Sequence, residues 1–252
     1  MNRAAPEQEA ESSLMDHLIE LRTRLVRGLM GVGVVLLVLL PFVKQLYDRL
    51  AMPMISQLPA GQAAQMIAND PTSGFFAPIK LAFFTALFLS SPWLLYQAWS
   101  FVAPGLYRHE KRLAVPLLVS SILLFYAGCA FAYFLVLPGV FHALTTFTPD
   151  IVTIAPDPAK YLDFVMVIFL AFGVSFELPV ALVIMVLLGW VTPQQLREAR
   201  GYAVVGVFVV AALITPPDVV SQLMLAIPMC LLYELGIVAA GWLKPKDATP
   251  VA

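Results

Sequence analysis

Charge is what this sequence has least of. Only 12% of its 252 residues are Asp, Glu, Lys or Arg, against roughly 25% in an ordinary soluble domain. The scarcity excludes a conventional water-soluble surface. Cysteine is nearly absent as well: Cys129 and Cys230 both sit inside apolar runs, where cysteine packs as a small hydrophobe and not as a disulfide or metal pair. The three histidines, His17, His109 and His142, have no spaced ligand partners, so no metal and no cofactor is expected. Neither Gly-x-Ser-x-Gly nor His-Glu-x-x-His occurs, which argues against a membrane hydrolase. No internal repeat is visible, which argues against a secondary transporter built from inverted halves. A net charge of −1 and a pI near 6.3 exclude a nucleic-acid partner. Glu7, Glu9 and Glu11 stand where a cleaved secretory leader would carry basic residues, so the chain is expected to insert by its own helices.

Apolar residues are what the chain has in excess, 60% of the total, with mean hydropathy +0.86. They gather into runs long enough for spanning helices, which need roughly 20 residues to cross about 30 Å of hydrocarbon. The expected fold is all-α and polytopic, with six transmembrane helices near residues 25–43, 76–98, 114–138, 161–188, 201–214 and 219–241. Residues 1–24 form a segment before the bundle, and 242–252 a tail after it. The fifth span is short, about 21 Å of helix, and "TPPD" (215–218) stops it, because proline cannot continue the helical ladder. Either a thinned, wetted bilayer or flanking residues make up the length.

Orientation follows from Lys and Arg. With six spans, Arg3, Arg22, Arg24, Arg27, Arg108, Lys111, Arg112, Arg197, Arg200, Lys244 and Lys246 fall on one side. Lys44, Arg49 and Lys160 fall on the other, with Lys80 inside the second span. Basic loops stay cytoplasmic, so both termini are expected inside.

Four places break the apolar pattern in ways that point to function. In "SLMDHLIELRTRL" (13–25), Leu14, Leu18, Leu21 and Leu25 make one helical stripe. Ser13 with Asp16 predicts a helix start, and Glu20 with Arg24 is an i,i+4 pair. This helix either lies on the membrane surface or presents Glu20 at the cytoplasmic face. In "WSFVAPGLYRHEKR" (99–112), Glu110 sits among four basic residues; it pairs with them or accepts a cationic ligand through forked hydrogen bonds. In "GVSFELPVAL" (173–182), Glu177 is the sole charge between residues 164 and 196. A carboxylate near the bilayer centre costs roughly 2.5–3.5 kcal/mol. It is either protonated within the bundle or set in a polar pocket beside the short span, with Lys80 as a candidate partner and Pro179 as a candidate kink. Asp218 suits a helix cap for the sixth span, and Glu234 lies deeper in that span as a second candidate wet spot.

"HLIELRTRL" (17–25), "SPWLLYQAWSFVAPGLYRHEKR" (91–112), "AFGVSFELPVA" (171–181) and "TPPDVVSQLMLAIPM" (215–229) resemble, in that order, the motifs of the TatC family, the multispanning subunit of the twin-arginine protein translocase. The resemblance runs from about residue 14 to 240. It implies a bacterial cytoplasmic-membrane protein, not an enzyme, that binds twin-arginine signal peptides of folded cargo at the cytoplasmic face. It implies TatA- and TatB-type single-span partners, a homo-oligomer within a larger receptor complex, and transport driven by the proton-motive force. The family's signal-binding positions fall on Glu20 and Glu110, supported by Leu21, Arg22 and Phe101. Its intramembrane polar site falls on Glu177, with Asp218 as the acid between the last two spans. Pro53 and Phe75 match positions in the first external loop.

Overall fold

A computed structural model of the chain describes residues 4–47, 49, 73–102, 113–140, 142, 157–214 and 219–243. Among these residues every regular element is helical. Helix α1 runs Ala4–Leu39 and passes through a 3₁₀ turn at Leu40–Phe42 into a last helical stretch at 43–47. Ser13 therefore lies mid-helix, not at a start, and the amphipathic segment and first span form one rod. The membrane-length part of that rod is His17–Tyr47.

The second span, expected as one helix, is two: α2 (Ser73–Leu89) and α3 (Ser91–Val102), bent by 51°. Helix α4 (Ala114–Phe131) continues through a π-helical turn, Ala132–Val136, to residue 140. Helix α5 (Pro158–Ser175) starts where the Asp157 carboxylate accepts from Ala159 N at 2.8 Å and Lys160 N at 3.4 Å, an N-cap with proline at the first helical position.

Between α5 and α6 (Leu178–Leu187) the fourth span breaks at Phe176 and Glu177. Pro179 has no N–H to offer the Ser175 carbonyl, so the ladder cannot continue in register. Glu177 N bonds instead to Val174 O, three residues back, at 3.0 Å. Gly189, at φ +72°, adopts the left-handed conformation that side chains resist just beyond α6. A reciprocal cap between Thr192 and Gln195 (3.2 and 2.8 Å) then opens the short α7, Pro193–Glu198. Helices α8 (Arg200–Ile214) and α9 (Val219–Leu243) complete the chain.

Among the described residues four helices are long and apolar enough to cross a membrane, the bent α2–α3 pair is a fifth candidate, and α8 is a shorter apolar helix of 15 residues. The six expected spans thus all have helical counterparts. At 1.5 Å per residue α8 reaches about 22 Å, short of the roughly 30 Å hydrocarbon layer.

Two buried clusters hold the bundle. One, around Leu81, Leu137, Ile168, Phe172 and Leu225, joins α2, α5, α9 and the continuation of α4. The other, around Trp99, Leu182, Val183, Leu187, Tyr233 and Ile237, joins α3, α6 and α9. The most extensive packing is α6 against α9. Gly236 lets these two close up, since a Cβ there would stand 2.9 Å from Pro179 Cα. Outward faces keep large apolar residues, including Leu37, Leu123, Phe134 and Leu213, the pattern of helices solvated by lipid.

Candidate functional site

Helices α1 and α3 cross closely at Gly28, where a Cβ would come 3.1 Å from Leu94 Cδ2. Towards the end of the bundle that carries Glu20 and Phe101, the two helices leave a cavity of about 250 Å³. Its walls are Leu21, Leu25 and Leu29 from α1, with Leu94, Ala98 and Phe101 from α3. Arg24 and Gln97 supply the polar edge. Arg24 Nη1 donates to Gln97 Oε1 at 3.4 Å and its Nη2 to Glu20 Oε1 at 3.3 Å. The Phe101 ring is held by His17, stacked at 4.2 Å with 24° between planes. Deeper along the seam, Trp93 Nε1 donates to the Arg27 carbonyl at 3.0 Å. The result is a greasy groove with a carboxylate at its rim.

Of the residues expected at a signal-binding face, Glu20, Leu21 and Phe101 come together around this groove, while Arg22 is exposed beside it on α1. Glu110, Asp218 and Pro53 lie outside the described residues. Phe75 is exposed at the start of α2, its ring edge-on to Phe76.

Glu177 occupies a second site, at the break between α5 and α6. Its Oε1 is buried with no hydrogen-bond partner among the described residues. The Ser121 hydroxyl on α4 reaches the same carboxyl group, and Ser121 Oγ in turn accepts from Trp99 Nε1 at 3.3 Å. The expected partner Lys80 is not there. It pairs with Asp163 instead, Nζ to Oδ1 at 2.6 Å, linking α2 to α5. Asp163 precedes Glu177 by fourteen residues of the same span, about 21 Å of helix at 1.5 Å per residue, so Lys80 and Glu177 sit at different depths. Glu234, the second candidate wet spot, has a charged partner: Arg200 grips it with Nε–Oε1 and Nη2–Oε2 contacts of 2.7 Å each, joining the start of α8 to α9.

Sequence reasoning passed over Gln97, Trp99, Ser121, Asp163 and Arg200 as site residues. Gln97 was legible in principle, being an amide inside the apolar run of α3 that ends up 5% exposed. Nothing local marks Ser121 or Trp99, because their importance comes from a contact between helices.

The TatC family profile, "Sec-independent protein translocase protein (TatC)", matches residues 16–228. The "Sec-independent protein translocase protein TatC" of Escherichia coli (strain K12) is 52% identical over 229 residues, 91% of this chain and 88% of that one. Its namesake in Haemophilus influenzae is 49% identical over 234 residues, 93% and 91% of the two chains. A solved structure, "Crystal Structure of Twin Arginine Translocase Receptor- TatC", superposes with a TM-score of 0.80 at 38% identity, covering 90% of this chain and 98% of that one.

Proposed function

The chain belongs to the TatC family and is a multi-pass core subunit of the twin-arginine translocase; from that premise we propose that the groove between α1 and α3 is its reading head for twin-arginine signal peptides. The observation that carries this reading is a cavity walled by Leu21, Leu94 and Phe101 whose polar edge, Arg24, holds the Glu20 carboxylate at 3.3 Å. A signal peptide of this class presents two adjacent guanidiniums followed by apolar residues, and the groove offers an acceptor followed by grease. Arg is always charged and forks onto a carboxylate in a way that Lys cannot copy.

Glu20 meets Arg24 through one 3.3 Å contact. An incoming guanidinium that takes both carboxylate oxygens displaces a weak partner with a stronger one. Exposed ion pairs are worth only about 0–1 kcal/mol, so the charges select and the apolar part of the signal retains, at about 25 cal/mol per Å² buried. Glu110 is the second carboxylate of this reading, and Arg22 stands exposed near Glu20 on α1. Basic loops on the side of Glu20 set that side in the cytoplasm, with both termini there and the bundle in the bacterial inner membrane.

Glu177, Asp218 and the short α8 form the face for TatA- and TatB-type single-span subunits. A buried oxygen without a partner is a costly group that a polar side chain on a partner's helix relieves. Several copies assemble in the receptor complex, and the proton-motive force drives transport. Pro53 and Phe75 shape the external loop.

The test is photocrosslinking from positions 20 and 101 to a twin-arginine signal peptide and to its Lys-Lys counterpart. The twin-arginine peptide is expected to crosslink and the Lys-Lys form to fail. Equal yields from both would refute the reading.

A further inference from the structure

Ser121 lies on α4, 1% exposed, and its hydroxyl has to place one proton. In a helix such a serine usually returns it to the carbonyl four residues back, here that of Leu117. That oxygen is already committed. It takes the Ser121 N–H in the helical ladder and also the Ser120 hydroxyl, at 2.8 Å. A carbonyl has two lone pairs, so Ser121 is turned away from its own helix. On its outer side it accepts from Trp99 Nε1 at 3.3 Å, a buried contact. The Ser121 hydroxyl lies beside the Glu177 carboxyl, and one oxygen of that carboxyl, Oε1, is buried without a partner among the described residues.

Trp99 stands on the helix that builds the groove. Gln97 and Phe101 are one turn apart and face α1. Trp99, two residues from each, projects about 200° around the helix from either and meets α4. Helix α3 therefore presents one face to the signal groove and another to the Glu177 site, within five residues.

We propose that Trp99 and Ser121 form a buried hydrogen-bonded relay, indole N–H to serine hydroxyl to Glu177, that positions this carboxyl and couples it to the groove. Trp99 and Ser121 are positioning residues; neither touches the signal peptide. The coupling half of the inference rests on the groove reading above, while the positioning half stands without it. A ligand that shifts α3 against α1 moves the indole, and the serine proton follows, because Leu117 offers it no alternative acceptor. The relay gives occupancy at one site a contiguous physical route to the other.

Infrared difference spectroscopy of the full-length protein in lipid nanodiscs tests it, with the Glu177 carboxyl band assigned by its loss in Glu177→Gln. The band is expected to shift in Ser121→Ala and in Trp99→Phe, which keeps the ring and removes the donor, and to return in Ser121→Thr. Thermal unfolding midpoints check that each variant is folded. In the unaltered protein a twin-arginine peptide is expected to shift the band. In Trp99→Phe the same peptide crosslinks from position 20 at unaltered yield but leaves the band still, and export falls about fivefold, the weight of one ordinary hydrogen bond. An unchanged band in folded Ser121→Ala overturns the relay. A peptide-driven shift that persists in Trp99→Phe overturns the coupling. Absence of crosslinking from position 20 in the unaltered protein defeats the groove reading instead, and the relay is then judged on the carboxyl band without peptide.

Discussion

The rings of His17 and Phe101 stack at 4.2 Å, nearly parallel at 24°, although 84 positions separate them in the chain. This contact pins the end of α3 to α1 and sets the mouth of the groove. Phe101→Ala removes both the stacked partner and a wall of the cavity. Aromatic pairs are worth about 0.5–1.5 kcal/mol beyond their buried area. Signal-peptide affinity is therefore expected to fall about tenfold, with Phe101→Tyr close to unaltered. Titrated crosslinking from position 20 measures it; equal affinity in Phe101→Ala would remove the ring from the groove.

Gly128 marks a close approach of α4 to α5. A Cβ there would meet the Phe172 carbonyl oxygen at 2.6 Å and the Phe176 ring at 3.0 Å. The backbone oxygen cannot swing aside, so Gly128→Ala forces the helices apart. Overpacking of this kind costs about 1–3 kcal/mol. A lowered unfolding midpoint in detergent is expected, together with a shift of the nearby Glu177 site. A midpoint equal to the parent protein would show that the helices yield without penalty.

Lys80 and Asp163 tie α2 to α5 at 2.6 Å, each about half exposed. Such a pair contributes about 0–1 kcal/mol. A double-mutant cycle on Lys80→Met and Asp163→Leu is expected to give a small favourable coupling. Each single change should be worse than the double, because it leaves one charge alone among apolar neighbours. Strict additivity in chemical denaturation would mean that the bridge holds nothing.

Arg200 grips Glu234 with two contacts of 2.7 Å, and next to it the Tyr233 hydroxyl donates to the Leu196 carbonyl at 2.8 Å. Together they fasten α7 and the start of α8 to α9. Lysine cannot reproduce the fork, so Arg200→Lys is expected to loosen the short α8 selectively. Tyr233→Phe leaves a buried carbonyl short of a donor and costs about 1–3 kcal/mol. Hydrogen exchange resolves the two: faster exchange confined to α8 in Arg200→Lys, and spread over α7 and α9 in Tyr233→Phe. Protection of α8 at parent levels would sink the clasp.

Composition and periodicity carried the fold a long way. Runs of apolar residues predict the helices of all six spans because, in lipid, a backbone has few ways to satisfy its hydrogen bonds other than as a helix. The short α8 was readable from Pro216 and Pro217 downstream. The break near Glu177 was readable from Pro179, since a missing N–H is written in the sequence. The bend between α2 and α3 carries the same mark in Pro92, which has no N–H for the Phe88 carbonyl, but it was passed over; the Tyr126 hydroxyl donates to that carbonyl at 3.2 Å, and the change of direction accompanies packing of α3 against α1 and α4. The first helix was read too short. Ser13 and Asp16 suit a helix start, but helix-favouring residues before them let α1 begin at Ala4.

Charged residues divide in the same way. That Glu177 would be an exception was determined by the sequence alone, because a lone carboxyl in a greasy run is costly wherever it folds. Its neighbours were decided by tertiary structure. Lys80 goes to Asp163, Arg200 to Glu234, and the carboxyl of Glu177 meets Ser121, with Trp99 behind it. Each pairing joins helices far apart in the chain. It depends on the depth and rotation at which two rods meet, and hydrophobic periodicity says that a face is buried without saying against what.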